Sequence, residues 1–433
     1  MTGPLAVLLG GRVAGLLERT RRNVLRFAYD PDATRTGRTP LSLSLPLASQ
    51  VYTGEPVDRF VRALLPESNG ALAAIERQHP GVDRYDPLSL LAAIGQDCPG
   101  AVQFCHPDDV DATLTRTGSL EPQSAGQIEQ RLAELRIDED ASWTMPGEHW
   151  SLGGTQPKFA LRRIGDRWFQ AQGSQPTSHI LKPGVHGLTS QALVEHISMR
   201  AAAACGVDVA HTEYLQVKSE SAVAITRFDR RADGDVLLRL HQEDLCQALG
   251  VGEKYEEYGG PTAADIVRLL RERSATAAAT RRNVDRFVDG LVFNTVVAAP
   301  DAHARNYAVL LDGEDVRLAP VFDVSTSLPY DAPRRGRVLS MSIGGELDAG
   351  RIGREQWQRF ADENDLDVER VLDRVRLVAG TAPGAMLDAL GEVEDWDGSV
   401  AGLRERLEAG VAGYARGSAM RWAPWGSNPQ PAD

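Results

Sequence analysis

Near the start of the chain, apolar residues fall in short runs broken by glycine. Ala6-Val7-Leu8-Leu9 and Val13-Ala14-Gly15-Leu16-Leu17 flank Gly10-Gly11, and the run 24–29 follows, which predicts a small antiparallel sheet. Residues 41–46 alternate and are stopped by Pro46. The spacing then turns helical near 57–65, 71–78 and 87–94, and 127–135 reads as a short helix within a polar stretch. Acidic residues and Pro146-Gly147 interrupt the pattern over 138–147, which marks a domain boundary.

Beyond that boundary, 168–172 and 179–182 read as strands, 190–204 as a helix, and 223–230 as a further strand. Helical spacing dominates afterwards, over 243–249, 263–273 and 284–297. Two apolar runs, 307–311 and 316–321, flank Asp312-Gly313-Glu314-Asp315 and predict a β-hairpin. An apolar run at 339–345 precedes amphipathic helices over 354–363, 368–377 and 400–412, and the tail 425–433 is expected to fray. The expected layout is α+β: a β-rich small lobe (141–235), a strand-like hinge and a helical large lobe (236–433), after an extra N-terminal α/β domain (1–140). This is the order of a two-lobed protein-kinase-like fold.

Polar groups gather at the open ends of the predicted hairpin. Asp301, His303 and Asn306 precede its first strand and Asp323 follows its second, so pairing of the strands would bring Asn306 and Asp323 together. Phosphoryl transfer asks for such a set: a carboxylate to orient the attacking hydroxyl, and an amide oxygen plus a second carboxylate to hold Mg²⁺. Asp301 and Asn306 have the D-x-x-x-x-N spacing of a kinase catalytic loop. Taken alone, that spacing also suits two residues that only shape a loop. Upstream, Ser151-Leu152-Gly153-Gly154-Thr155-Gln156-Pro157-Lys158 places paired glycines where backbone N–H groups could approach a phosphate, although a plain turn fits too and no Walker A sequence is present. Lys182 ends an apolar strand, from which an ammonium could reach phosphate oxygens and pair with a helical glutamate, Glu195 being the first candidate. The run 223–230 would serve as the hinge offering backbone groups to adenine.

With 433 residues, a quarter of them charged, and no apolar run of membrane-spanning length, the sequence describes a soluble chain of two or three domains. Its N-terminus lacks a basic segment ahead of the short apolar run, so it is not read as a secretory signal, and a cytoplasmic location is expected. A net charge of −13 argues against broad contact with nucleic acid by this chain alone. Cys98, Cys105, Cys205 and Cys246 form no C-x-x-C pair, and neither zinc nor a disulfide is expected.

Six stretches taken together resemble the HipA family of serine/threonine kinase toxins. They are 151–158, His179-Ile180-Leu181-Lys182-Pro183, Arg227-Phe228-Asp229-Arg230, His241-Gln242-Glu243-Asp244 with Gln247-Ala248-Leu249-Gly250, Asp301-Ala302-His303-Ala304-Arg305-Asn306, and Ala319-Pro320-Val321-Phe322-Asp323. The N-terminal part is similar to that family's extra domain through 41–47, Leu64-Leu65-Pro66-Glu67 and 91–102, so the likeness spans nearly the whole chain. The resemblance implies a type II toxin–antitoxin kinase that uses ATP and Mg²⁺. It implies phosphorylation of a serine of an aminoacyl-tRNA synthetase, typically glutamyl-tRNA synthetase, with translation halted and persistence favoured. It also implies a small helix-turn-helix antitoxin of the HipB type, which bridges the kinase to operator DNA.

Carried over by position, Asp301 is the catalytic base and Asn306 and Asp323 are the metal ligands. Gly153, Gly154, Thr155, Gln156, Lys182, Arg227, Phe228 and His303 form the ATP site, and Ser151 is the autophosphorylated serine. Thr226 departs from the pattern, standing where the family often has glutamate. Because D-x-H-x-x-N also resembles the loops of aminoglycoside and phosphoinositide kinases, a small-molecule or lipid kinase is the second reading. A catalytically inactive co-repressor partner of a DNA-binding antitoxin is the third.

Overall fold

Gly10 and Gly11, with φ of 56° and 80°, turn the chain between β1 (Leu5–Leu9) and β2 (Arg12–Arg19) in the left-handed geometry that a two-residue hairpin demands. β3 (Leu25–Tyr29), β4 (Val51–Thr53) and β5 (Val102–Cys105) complete a five-stranded sheet of order β4-β3-β2-β1-β5. Alternation then sorts its two faces. Leu5, Val7, Leu17 and Phe27 pack with Val57, Phe60, Leu91 and Ile94 of the helices Glu55–Ala63 and Pro87–Ile94. Ala6, Leu8 and Cys105 meet Val110 and Leu114 on the other side. The alternating run 41–46 forms a turn closed by one bridge, Ser42 to Leu45, rather than a strand. Tyr29 holds it, accepting from the Leu41 N–H at 2.7 Å and donating to the Leu45 carbonyl.

The structure, a computed structural model, describes residues 2–36, 39–138, 141–185, 187–331 and 337–422. The expected frayed tail at 425–433 lies outside them. The chain forms two compact units, the first of Met1–Ala192, Ala210–Gly252 and Ala308–Ala319, the second of Leu193–Val209, Glu253–Tyr307 and Pro320–Asp433.

Besides the sheet above, the first unit contains β6 (Leu120–Gln123), β7 (Phe159–Ile164), β8 (Arg167–Ala171), β9 (His179–Lys182), β10 (Thr212–Val217) and β11 (Glu220–Thr226). They make one sheet of order β10-β11-β9-β7-β8-β6. Its apolar face packs on Ile128, Leu132 and Leu135 of the helix Ala125–Ile137 and on Trp143 and Trp150. Polar sequence hid β6, whose Pro122 is tolerated because the strand lies at the sheet edge. A hairpin of β12 (Arg230–Asp233) and β13 (Val236–Arg239) follows. β14 (His241–Asp244) then joins the predicted hairpin strands, β15 (Ala308–Asp312) and β16 (Asp315–Leu318). The expected helix over 243–249 begins only at Leu245, because Asp244 accepts from the Gln247 N–H and acts as its N-cap.

In the second unit, the helices Ala263–Arg273, Ala277–Val296, Arg354–Glu363, Val368–Gly391 and Ser399–Trp422 accompany β17 (Val338–Ile343) and β18 (Glu346–Asp348). Three helices outrun their sequence signal: Ala277–Val296, Val368–Gly391 and Ser399–Trp422. Thr276 caps the first of these early by accepting from Ala279. Val368–Gly391 runs through Pro383 because Val378, Ala382, Met386 and Leu390 continue a buried stripe beyond the helix breakers.

His241 supplies a pH-dependent element of the first unit. It is buried against the Leu41 carbonyl, 3.1 Å from Nε2, and burial pushes its pKa down to about 4. The fold therefore holds neutral imidazole, and its contribution is complete above the ordinary histidine range. It is lost as pH falls from about 6.5 toward 4, by about 3 kcal/mol at most. Urea denaturation at pH 7 and pH 4.5 should show a smaller acid loss for His241→Gln than for the wild type; equal losses would remove His241 as the cause.

Candidate active site

The loop after the helix Ala277–Val296 is shaped by its own polar groups. Asn306 Nδ2 donates to the Asp301 carbonyl at 2.6 Å, and the Asn306 N–H donates to the His303 carbonyl at 2.9 Å. The D-x-x-x-x-N spacing thus closes a small ring. Within it the Asp301 carboxylate stays outside, 64% exposed, while His303 and Asn306 are buried. His303 Nε2 lies 3.6 Å from Asp301 Oδ1. Burial drives the imidazole pKa below its usual range, against the opposing pull of the Asp301 and Asp323 carboxylates, so His303 is a neutral group at physiological pH.

The helix interior brings both ends of the hairpin to one place. A Cβ at Gly290 would meet Val321 Cγ2 at 2.9 Å and Tyr307 Cε1 at 3.4 Å, so only glycine lets the residue after Asn306 and the residue two before Asp323 pack on the same turn. Tyr307 is fixed there by Asn294 Nδ2, which donates to its hydroxyl at 2.8 Å. Asp323 itself has φ of 60°, the left-handed region that a non-glycine residue enters at a cost. Bonds on either side hold it. The Val321 N–H donates to the Asp208 carbonyl at 2.8 Å, and the Thr326 N–H donates to Ser198 Oγ at 3.1 Å.

In the first unit, the glycine loop is seated on the N-terminal helices. Gly153 is required because a Cβ would meet the Ala63 carbonyl oxygen at 2.8 Å, and Gly154 by its φ of 94°. The Glu67 N–H donates to the Gly154 carbonyl at 2.9 Å, and Lys158 Nζ donates to the Gly153 carbonyl at 2.8 Å. Lys158, at the end of the motif, is thus a tether that its sequence position did not announce. Ser151 is wholly buried, its Oγ donating to the Leu64 carbonyl and its N–H to the Asp97 carbonyl at 3.1 Å. Thr155 is exposed, and Gln156 bonds Gln191 at 3.0 Å. Lys182 is buried at the end of β9, and Glu195 lies fully buried in the helix Gln191–Ala204.

β11 ends at Thr226, and the next residues turn rather than continue the strand. Phe228 is half-buried, while the Arg227 side chain is occupied within a buried charge network. Arg227 Nη2 bonds Asp229 Oδ2 at 2.8 Å, Arg230 Nη2 bonds Asp97 Oδ1 at 2.9 Å, and Arg239 Nε bonds the same Asp97 oxygen at 2.9 Å. Any contact Arg227 makes with a nucleotide would therefore come from its backbone. Asp97 and Tyr255, whose hydroxyl donates to Asp301 Oδ1 at 2.6 Å, are the site-bordering residues that local sequence pattern gave no reason to choose.

Asn306 and Asp323 fit a magnesium ion by chemistry. Asn306 has its amide nitrogen committed to the loop, which leaves Oδ1 as an oxygen donor, and Asp323 brings a carboxylate into the electrostatic neighbourhood of His303. Among the described residues no cluster of three or more His, Cys, Asp or Glu side chains suits a metal.

Comparison with known proteins covers most of the chain. The family model of the HipA-like C-terminal domain matches residues 150–386, and that of the HipA N-terminal domain matches residues 5–105. A Sinorhizobium fredii protein named as a kinase, Y4mE, is 32% identical over 90% of this chain and 93% of its own. The serine/threonine-protein kinase toxin HipA of Shewanella oneidensis is 31% identical over 84% of this chain and 83% of its own. In fold, the chain matches a Shewanella oneidensis structure described as a toxin–antitoxin complex of HipA, HipB and operator DNA, with a TM-score of 0.79, 24% identity and coverage of 95% and 97%.

Proposed function

The chain belongs to the HipA family of serine/threonine protein kinases, and from that premise we propose that it is a toxin kinase acting on an aminoacyl-tRNA synthetase, glutamyl-tRNA synthetase being the first choice. The observation that carries the reading is the ring closed by Asn306 on the Asp301 carbonyl, which keeps one carboxylate exposed and one amide oxygen available. In the reaction, Asp301 takes the proton of the acceptor hydroxyl as its oxygen attacks the γ-phosphorus of ATP. The new O–P bond forms as the bond to the β-phosphate oxygen breaks and ADP leaves. Asn306 and Asp323 hold Mg²⁺, which neutralises the phosphate charge when bound. Gly153, Gly154, Thr155, Gln156 and Lys182 are assigned to the phosphates, and Phe228, His303 and the backbone at Arg227 to the rest of the nucleotide. Residues 1–140 form the family's extra domain, 141–235 the small lobe and 236–433 the large lobe.

Partners follow from the same reading. A HipB-type antitoxin neutralises the kinase and links it to operator DNA, which suits a chain of net charge −13. Translation arrest and persistence are the cellular result. Among the described residues no helix is long and apolar enough to cross a membrane, and we place the activity in the cytoplasm.

Ser151 is proposed as the autophosphorylation site. Its buried Oγ, bonded to the Leu64 carbonyl, leaves no seat for a phosphate dianion, so modification requires the loop to leave this position and would hold it away afterwards. Mass spectrometry after incubation with Mg-ATP tests this: a phosphate on Ser151 in the wild type and none in Asp301→Gln supports the reading. Incubation with glutamyl-tRNA synthetase tests the acceptor in the same experiment. Absence of both phosphates, together with absent nucleotide binding, would favour the co-repressor reading instead.

A further inference from the structure

One side chain outside the carried-over set touches the carboxylate assigned to the chemistry. Tyr255 donates its hydroxyl to Asp301 Oδ1 at 2.6 Å, the short distance of a charge-assisted bond, and its ring stands edge-on to His303 with centroids 5.0 Å apart. His303 Nε2 faces the same oxygen, at 3.6 Å. Both neighbours therefore lie on Oδ1, while Oδ2 meets no hydrogen-bond partner among the described residues. A carboxylate clamped through one oxygen has one rotamer and one oxygen left for an incoming hydroxyl.

The clamp is built on a common support. Glu256, next to Tyr255, accepts from both the N–H and Oγ of Ser342, each at 2.7 Å. Pro300, next to Asp301, has its carbonyl bonded by Ser340 Oγ. Ser340 and Ser342 lie two residues apart on β17, so one strand fixes the segment that delivers the phenol and the loop that delivers the carboxylate. Lys254 Nζ lies over the Tyr255 ring, 5.5 Å from its centroid, and adds a cation–π contact to the phenol.

We propose that Tyr255 is a positioning residue for phosphoryl transfer: its hydroxyl locks Asp301 through Oδ1 so that Oδ2 alone receives the proton of the acceptor. This rests on the reading of Asp301 as catalytic base. Tyr255→Phe keeps the ring, its contact with His303 and the Glu256 anchor, and removes only the donor. Phosphoryl transfer from γ-labelled ATP, summed over the chain itself, added glutamyl-tRNA synthetase and water, should fall about 10- to 100-fold in kcat, the penalty for a loosened reacting group. KM for ATP and binding of a fluorescent ATP analogue should not change, a split that a merely structural role would not produce. In an Asp301→Asn background, the added Tyr255→Phe change should cost nothing further.

The outcomes separate the two ideas. An inert wild type, or an Asp301→Asn variant as active as the wild type, overturns the catalytic reading and this inference with it. Loss of activity in Asp301→Asn with full activity in Tyr255→Phe overturns the inference alone, as would a Tyr255→Phe loss that adds fully to that of Asp301→Asn.

Discussion

Replacement of Asp301 by glutamine is expected to lower phosphoryl transfer by about 10²- to 10⁴-fold, some 3–5 kcal/mol of transition-state stabilisation. The side chain is 64% exposed and the loop is closed through the Asp301 carbonyl rather than its carboxylate, so the Asn306 bond survives the change. Thermal unfolding should consequently stay close to that of the wild type. Glutamine preserves polarity and near-size but cannot accept a proton at neutral pH, and it cannot bond Tyr255 as a carboxylate does. Nucleotide affinity, measured by titration calorimetry, should remain within a few-fold, because Asn306 and Asp323 are untouched. Full phosphoryl transfer in Asp301→Gln would take this residue out of the chemistry, whereas a variant that fails through unfolding would show itself in the melting curve.

The parts of this site legible in the sequence are those whose physics is local. The 301–306 ring needs only five intervening steps of chain, so its residue types and spacing carry the geometry that Asn306 completes. The hairpin beyond it was legible because two short apolar runs around an Asp-Gly turn report directly on pairing, and β15 and β16 form around that turn. Other features depend on partners far along the chain. Tyr255 reaches Asp301 across 46 positions, and its only local mark is a Tyr-Glu-Glu-Tyr run that reads as a solvated turn. Lys158 reads as the motif's end, yet its ammonium returns to the glycine loop five residues earlier. The alternating run 41–46 misleads for the same reason: Tyr29 and Glu243 supply bonds to its backbone that a strand neighbour would otherwise provide.

Asp97 carries the largest expected effect on stability. It sits with 2% side-chain exposure between the guanidiniums of Arg227, Arg230 and Arg239, and it also accepts from the N–H and Oγ of Thr177, at 3.0 and 2.7 Å. Burial alone would raise its carboxyl pKa, but the guanidiniums of Arg230, Arg239 and Arg227 outweigh that penalty and hold it well below the ordinary range. Asp229 is the other carboxylate of the network, bonded to the Gly100 N–H at 2.6 Å. Two acids thus face three buried cations, and removing one acid adds to the uncompensated positive charge in a buried place. Burial and the neighbouring Arg227 lower the Arg230 pKa to about 10 even with Asp97 and Asp229 pulling it up, so loss of Asp97 removes part of what keeps this guanidinium charged. Asp97→Ala is therefore expected to destabilise the first unit by about 3–5 kcal/mol, the range for breaking a buried pair from one side.

Asp97→Asn keeps the shape and loses the charge, so it should recover part of the Thr177 bonding but little of the ionic contribution. The sign in pH follows from the depressed carboxyl: its contribution is present above about pH 4, where the unfolded carboxylate is ionised, and disappears as pH falls further toward the folded value. Denaturant titrations of wild type, Asp97→Asn and Asp97→Ala at pH 7 and pH 3 should thus lie closer together at the lower pH, with part of the gap still open because the folded carboxyl remains ionised there. Equal spacing of the three at both pH values would mean that Asp97 acts by packing and hydrogen bonding rather than by charge.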